Sequence, residues 1–119
     1  MHVSLDGFVA GPNGEIDWIY FEDELFEDVH NIVQKADTAL YGRVTYQLMK
    51  SYWPIAAKSP EATKHDIDHA NWVNPAVKIV FSKSLKETDW QNTRIVKNHA
   101  AEEVRELKKR PGKSMILFA

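Results

Sequence analysis

The sequence contains no cysteine. That absence removes disulfides, thiolate nucleophiles and cysteine-ligated zinc or iron–sulfur centres together, and it fits a reducing compartment. Glycine and proline are sparse, five of each in 119 residues, and no linker, low-complexity tract or internal repeat divides the chain. Residues 1–119 read as a single globular domain. No apolar run approaches the roughly 18 residues needed to cross a bilayer. Asp6 interrupts the first apolar stretch and no basic segment precedes it, so no signal peptide is expected and the expected location is the cytoplasm. An excess of either charge is also missing: 15 Lys and Arg face 17 Asp and Glu, a net charge of −2. Nucleic acid and membrane are therefore not expected partners, because neither has a strong cationic field to attract it. What is present, 44% hydrophobic and 27% charged residues, is the composition of a chain that buries a core.

Local patterning suggests an alternation of strands and helices. Val3, Leu5, Phe8 and Val9 suit a buried strand within residues 1–10, broken by the turn cluster Gly11-Pro12-Asn13-Gly14. Leu25, Phe26, Val29, Ile32, Val33 and Ala36 recur at helical spacing, with Glu22, Asp23 and Glu24 in the first turn and Lys35 near the last. Thr38 to Tyr41 reads as a strand stopped by Gly42, followed by a helix that runs until Trp53-Pro54. Residues 55–73 are polar and lack clean periodicity, which predicts surface loop with a helical turn or two. Val77 to Phe81 reads as a central strand, Ile95-Val96 as a shorter one, and Met115 to Phe118 as another buried strand. A helix before Pro111-Gly112 carries Ala100, Val104 and Leu107, with Glu102 and Glu103 at one end and Lys108, Lys109 and Arg110 at the other. Strand, helix, strand in this order implies an α/β fold with a parallel sheet covered on both faces.

The most informative constellation is Tyr41-Gly42-Arg43-Val44-Thr45, where a strand passes through glycine into a helix that starts with Arg and a hydroxyl. The free N–H groups at a helix start favour an anion, glycine permits close approach, and Arg43 can grip a phosphate through two parallel hydrogen bonds. Ser82-Lys83-Ser84 follows the next strand and belongs at the same carboxyl edge, where open α/β sheets bind ligands. Two anion-friendly positions on one edge suggest a nucleotide. The plainer alternative is that Gly42 ends a strand, Thr45 caps a helix and Ser82 begins a turn. Neither a G-x-G-x-x-G nor a Walker-type glycine motif is present.

Several segments in order resemble the dihydrofolate-reductase-like proteins of the RibD C-terminal-domain family, whose members include the reductase half of a bacterial bifunctional deaminase-reductase. They are Ser4 to Ala10, Gly11 to Trp18, Gly42-Arg43-Val44-Thr45-Tyr46, Lys78 to Lys83, and Met115-Ile116-Leu117-Phe118. The resemblance implies a three-layer fold with a mostly parallel sheet. It also implies NADPH as cofactor and hydride transfer to a small heterocyclic or ribosylamino substrate, as in riboflavin biosynthesis. By position, Gly42, Arg43, Val44, Thr45, Ser82 and Lys83 would hold the cofactor. Asp6 would act on the substrate side as the catalytic candidate, beside Gly7, and a loop containing Gly14 and Trp18 would close over the site. The acidic residue that dihydrofolate reductases carry on the first helix does not align: Phe26 stands there with Glu27 beside it, so dihydrofolate itself is not the expected substrate. The family's pattern continues beyond Ala119 into a Gly-Gly turn and further strands. The chain is therefore expected to form the fold without its final strands, leaving Met115 to Phe118 with an unpaired apolar edge. Such an edge recruits partners, which predicts a homo-oligomer or a partly unstable chain. A different reading is a non-catalytic remnant that serves as a nucleotide-binding or oligomer-forming module.

Other candidates are weaker. His65 and His69 share a helix face and could ligate a metal, but no third ligand is recognisable, so surface histidines and no metal are expected. The acidic cluster Glu22, Asp23, Glu24, Glu27 and Asp28 reads as a solvated helix start. Trp18, Trp53, Trp72 and Trp90 are expected in core or pocket walls.

Overall fold

A computed structural model describes residues 1–20 and 22–119. The elements are α1 (Asp23–Val33), β1 (Ala36–Gly42), α2 (Arg43–Ala56), α3 (Lys64–Val73), β2 (Val77–Phe81), β3 (Thr93–Val96), α4 (Ala100–Lys109) and β4 (Ser114–Phe118). The strands form one sheet in the order β3-β2-β1-β4, and every pairing is parallel. The expected α/β architecture with helices on both faces is what the chain adopts.

Alternation along the strands sorts the core into two layers. On one face Ala39, Tyr41 and Val80 pack with Tyr46, Trp53 and Ala56 of α2, Ala70 and Val73 of α3, and Trp90. On the other, Leu40, Ile79 and Val96 meet Val104 and Leu107 of α4. Each fully buried aliphatic side chain contributes about 1.5–3 kcal/mol, so the aromatic-rich α2–α3 face holds most of the stability. α4 has no fully buried residue.

Two polar anchors, one buried and one half-buried, tie the loops to that core. Lys78 is wholly buried, and its ammonium donates to the carbonyls of Val73, Asn74 and Ala76, each at 2.8 Å, while lying 4.7 Å from the centre of the Trp90 ring. Burial pulls this lysine down to about 8. The carbonyls at the negative end of α3 and the face of Trp90 are the compensation that keeps a cation there. Asn74 is a second node: it accepts from Trp90 Nε1 at 3.0 Å and donates to the Trp53 carbonyl at 3.1 Å.

Three expectations are corrected. Residues 1–10 form turns rather than a buried strand: Ser4 and Phe8 close a short loop on each other, and Val3, Leu5, Phe8 and Val9 are exposed. A strand needs a neighbour to satisfy its backbone, and this segment has none. Residues 64–73, expected as surface loop with a helical turn or two, form the ten-residue helix α3, started by a reciprocal box in which Thr63 Oγ1 accepts from the Asp66 N–H and the Asp66 carboxylate accepts from the Thr63 N–H. Finally, α2 runs through Pro54 to Ala56 instead of stopping at it. β4 lies beside β1 as an outer strand, with Leu117 exposed. No helix among the described residues is long and apolar enough to cross a membrane.

Candidate functional site

Because all strands run the same way, their carboxyl ends and the starts of α2 and α4 gather along one edge. Register fixes the neighbours: Gly42 sits beside Phe81, and Phe81 beside Val96. Three segments therefore leave the sheet side by side, Gly42-Arg43, Ser82-Lys83 and Lys97-Asn98-His99. The chain leaves β1 over the α2–α3 face and reaches β4 over the α4 face, so the strand order reverses between β1 and β4, with Gly42-Arg43 at the reversal and the Ser82 and Lys97 segments on the other side of β1. Ligands of open α/β sheets bind outside the carboxyl ends near such a reversal.

The start of α2 is open. Gly42 is its N-cap, no side chain caps the first turn, and a Cβ on Gly42 would meet nothing within 4 Å. The first-turn N–H groups have no intrahelical partner and sit at the positive end of the helix. Arg43 Nη1 donates to Gln47 Oε1 at 3.1 Å, which parks the guanidinium along α2 without neutralising it. Thr45 is half-buried, and the Val44 side chain is exposed on the outer face of α2, so of these two residues only Thr45 turns a side chain inward.

Alongside lies a cleft of about 470 Å³ with Phe81 and Val96 at its base and Ser82, Lys83, Lys97, Asn98 and His99 around it. Ser82 Oγ accepts from the N–H of Ser84 at 3.3 Å and of Leu85 at 3.1 Å, which shapes the loop that presents Lys83. Among the described residues neither Lys83 nor Lys97 takes part in an ion pair. His99 adopts a left-handed backbone, φ 59° and ψ 46°, to turn β3 into α4. The start of α4 itself is guarded by carboxylates: Glu102 lies 3.7 Å from His99, and Glu103 pairs with Arg94. The positive charge around the cleft thus comes from its two lysines, Lys83 and Lys97, rather than from the start of α4.

The structure brings Gly42, Arg43, Thr45, Ser82 and Lys83 to one edge and adds Lys97, Asn98 and His99. The signal for these three was a polar tripeptide between a strand and a helix, overlooked because β3 reads as only two residues long. Asp6, Gly7, Gly14 and Trp18 lie elsewhere. Gly7 and Gly14 take positive φ, 92° and 85°, in the turns of the N-terminal segment. Asp6 accepts from Ser4 Oγ at 2.6 Å, and none of the four forms a hydrogen bond or ion pair with the cradle.

The histidine expectation is overturned in one respect. His69 is buried, 4.3 Å from the Trp53 ring and 5.6 Å from Trp72, and burial pushes it down to about 4. His65 stacks on Phe26 at 3.9 Å and is also lowered by burial. His69 belongs to the core between α2, α3 and β4, His65 is half-buried against α1, and among the described residues no group of three His, Asp or Glu could hold a metal. Trp53 and Trp90 are buried and Trp72 half-buried, as expected, whereas Trp18 is exposed. Tyr41, just before Gly42, keeps a buried hydroxyl without a partner, and burial raises it further above its ordinary range.

The model of the RibD C-terminal domain matches residues 1–119, and the chain belongs to that family. It is 36% identical over 119 residues to the uncharacterised protein YyaP of Bacillus subtilis (strain 168), covering 98% of this chain and 58% of that protein. It is 30% identical over 101 residues to the uncharacterised protein YwjB of the same strain, covering 76% of this chain and 56% of that one. The chain thus spans less than two thirds of the length of these relatives.

Proposed function

We propose that this RibD C-terminal domain binds NADPH along the carboxyl edge of its sheet and serves a reductase acting on a small heterocyclic or ribosylamino substrate. The observation that carries the reading is the convergence of an open helix start at Gly42, a guanidinium at Arg43 and two lysines, Lys83 and Lys97, that make no ion pair among the described residues, at the ends of adjacent parallel strands. A phosphate needs what these residues offer: backbone N–H donors, a planar fork and room for close approach. Arg43, with Lys83, takes the phosphate that distinguishes NADPH from NADH, while Gly42, Val44 and Thr45 present the first turn of α2. Ser82 keeps the Lys83 loop in place, and Phe81 and Val96 give the cleft an apolar base. The dinucleotide, when bound, supplies the hydride.

Asp6 is assigned to the substrate side, steadied by Ser4, and the segment from Gly11 to Trp18 closes over the site about the turns at Gly7 and Gly14. Its work is to exclude water and orient the substrate. A second reading, a nucleotide-binding module without turnover, is favoured by the exposure of that segment and by the lack of any bond between Asp6 and the cradle.

The test is a tryptophan-fluorescence titration with NADPH and with NADH. Saturable binding is expected, about tenfold or more tighter for NADPH, a difference of about 1.4 kcal/mol. Arg43→Ala should remove most of that preference. Absence of saturable binding to either cofactor overturns the reading, and an equal loss for both in Arg43→Ala overturns the phosphate assignment. Binding without oxidation of NADPH across a panel of pterins and ribosylamino-pyrimidines selects the module.

A further inference from the structure

The amino end of the sheet holds a cavity of about 530 Å³ that the cofactor reading does not use. It opens where α1 and α3 end and β1 and β2 begin, among His30 and Gln34 of α1, Asp37 of β1, and Asp68, Asn71 and Trp72 of α3. Its size is that of a small-molecule site. Two of its lining side chains are carboxylates, and none is a lysine or an arginine.

Trp72 is the wall. Its indole N–H donates to the Ala36 carbonyl at 3.0 Å, and the rings of His69 and Phe118 pack against it from the core at 5.6 Å and 6.1 Å, so the half-buried ring keeps one orientation. Asp37 is held as firmly. Its Oδ1 accepts from Thr38 Oγ1 and its Oδ2 from the Lys113 N–H, each at 3.0 Å, and a Cβ on Gly112 would stand 3.1 Å from Oδ2, so glycine lets that turn close on the carboxylate. An ionised carboxylate offers about four acceptor sites. Among the described residues Asp37 fills two of them and makes no ion pair. Asp68 is half-buried, and its one ion pair there is with Lys64, 3.6 Å away at i,i+4 spacing, whose side chain is 84% exposed. Such a pair contributes little and exchanges readily for a better partner. The buried cation at this end is engaged elsewhere, since the Lys78 ammonium rests on three carbonyls and the Trp90 ring.

We propose that this cavity is a binding site for a small flat organic cation, an amidinium or guanidinium, stacked on Trp72 with its N–H groups on Asp37 and Asp68. Such a cation spreads its charge over a plane, so it gains from an aromatic face and from carboxylate oxygens at once. Its parallel N–H donors match the open acceptor sites of a carboxylate in a way that a compact ammonium does not. Gln34 and Asn71, both exposed, add neutral amide oxygens at the rim. The site lies at the opposite end of the sheet from Gly42, Ser82 and Lys97 and stands independently of the cofactor reading.

The experiment is an NMR titration of the isotope-labelled protein with benzamidine as the probe, and with benzamide and benzoate as its neutral and anionic counterparts. Benzamidine should give saturable shifts of the Trp72 indole N–H and of the Gln34 and Asn71 side-chain amides, with an affinity about tenfold or more above that of benzamide. Benzoate should not bind there. Asp68→Asn, which disturbs no hydrogen bond among the described residues, should weaken benzamidine about tenfold or more, and Asp37→Asn about as much. If Asp37→Asn fails to fold, Asp68→Asn decides. Absence of a saturable shift at Trp72 overturns the proposal. So does equal binding of benzamide, which would make the cavity a cleft without charge preference, and so does an affinity indifferent to the carboxylate variants. None of these readouts involves a nucleotide, so failure of this site and failure of the cofactor reading are separate results.

Discussion

The two ends of the sheet are chemical opposites. At the carboxyl end, Arg43, Lys83, Lys97 and His99 surround helix starts and a cleft of about 470 Å³. At the amino end, a second cavity of about 530 Å³ is lined by Asp37, Asp68, Asn71, Gln34 and His30 beside Trp72. The difference follows from parallel strands. Helices that return the chain between parallel strands point their positive ends to one edge and their negative ends to the other. Each end then selects its side chains. The amino end answers the helix C-termini with a buried cation, Lys78 on the carbonyls of Val73 and Asn74, and at the carboxyl end Lys83 and Lys97 make no ion pair among the described residues. One end holds its buried cation on internal carbonyls, and the other is the end proposed above to meet an anion.

The largest test of this contrast is at the satisfied end. Lys78→Met strands one buried and two part-buried carbonyls, and the expected loss is about 3 kcal/mol in urea unfolding. Nucleotide affinity measured on the folded variant should stay within about twofold. A loss below about 1 kcal/mol would mean that Lys78 is a passenger rather than an anchor.

Next in size is an acid effect that reaches both ends together through the core between them. His69 titrates near 4 in the fold against 6.5 when unfolded, so the unfolded chain takes up its proton first as pH falls. The stability this buried neutral imidazole contributes is present above 6.5, declines between 6.5 and 4, and changes no further below 4. The expected decline is about 2–3 kcal/mol by thermal melts at stepped pH. His69→Phe should flatten the profile, and an unchanged slope would assign acid sensitivity to other groups.

The smallest effect sharpens the contrast most directly. Lys97→Glu at the carboxyl end should weaken NADPH binding about tenfold, whereas Asp68→Lys, a charge change of equal size at the amino end, should leave it unchanged in the same titration. Equal effects would show that the nucleotide responds to the field of the whole molecule and not to one edge.

Much of this was legible in the residues. α1 and α4 announce themselves through apolar spacing and charges matched to their dipoles, and β2 through a β-branched run. Gly42-Arg43 and Ser82-Lys83 stand out as anion-seeking because each follows a strand. Other features were hidden for identifiable reasons. α3 looks like loop because its buried face includes His69, which reads as polar until burial makes it neutral; the Thr63–Asp66 box was the available signal. Residues 1–10 look like a strand because alternation records apolar side chains without recording whether a backbone partner exists. The capping role of Lys78 is invisible because its three acceptors belong to the end of α3 and the turn after it, where nothing in the pattern marks a carbonyl as unmet.

The sequence by itself determined the helices α1 and α4, the strand β2, the Gly42-Arg43 and Ser82-Lys83 strand ends and which chemistry cysteine's absence forbids. Each of these depends on neighbours within a few residues. Only the tertiary structure decided that Gly42, Ser82 and Lys97 share an edge, that Lys78 is an internal cap, and that α2 keeps a second apolar face exposed. Those outcomes depend on strand register and helix placement, which join residues tens of positions apart and are fixed by packing the whole core at once.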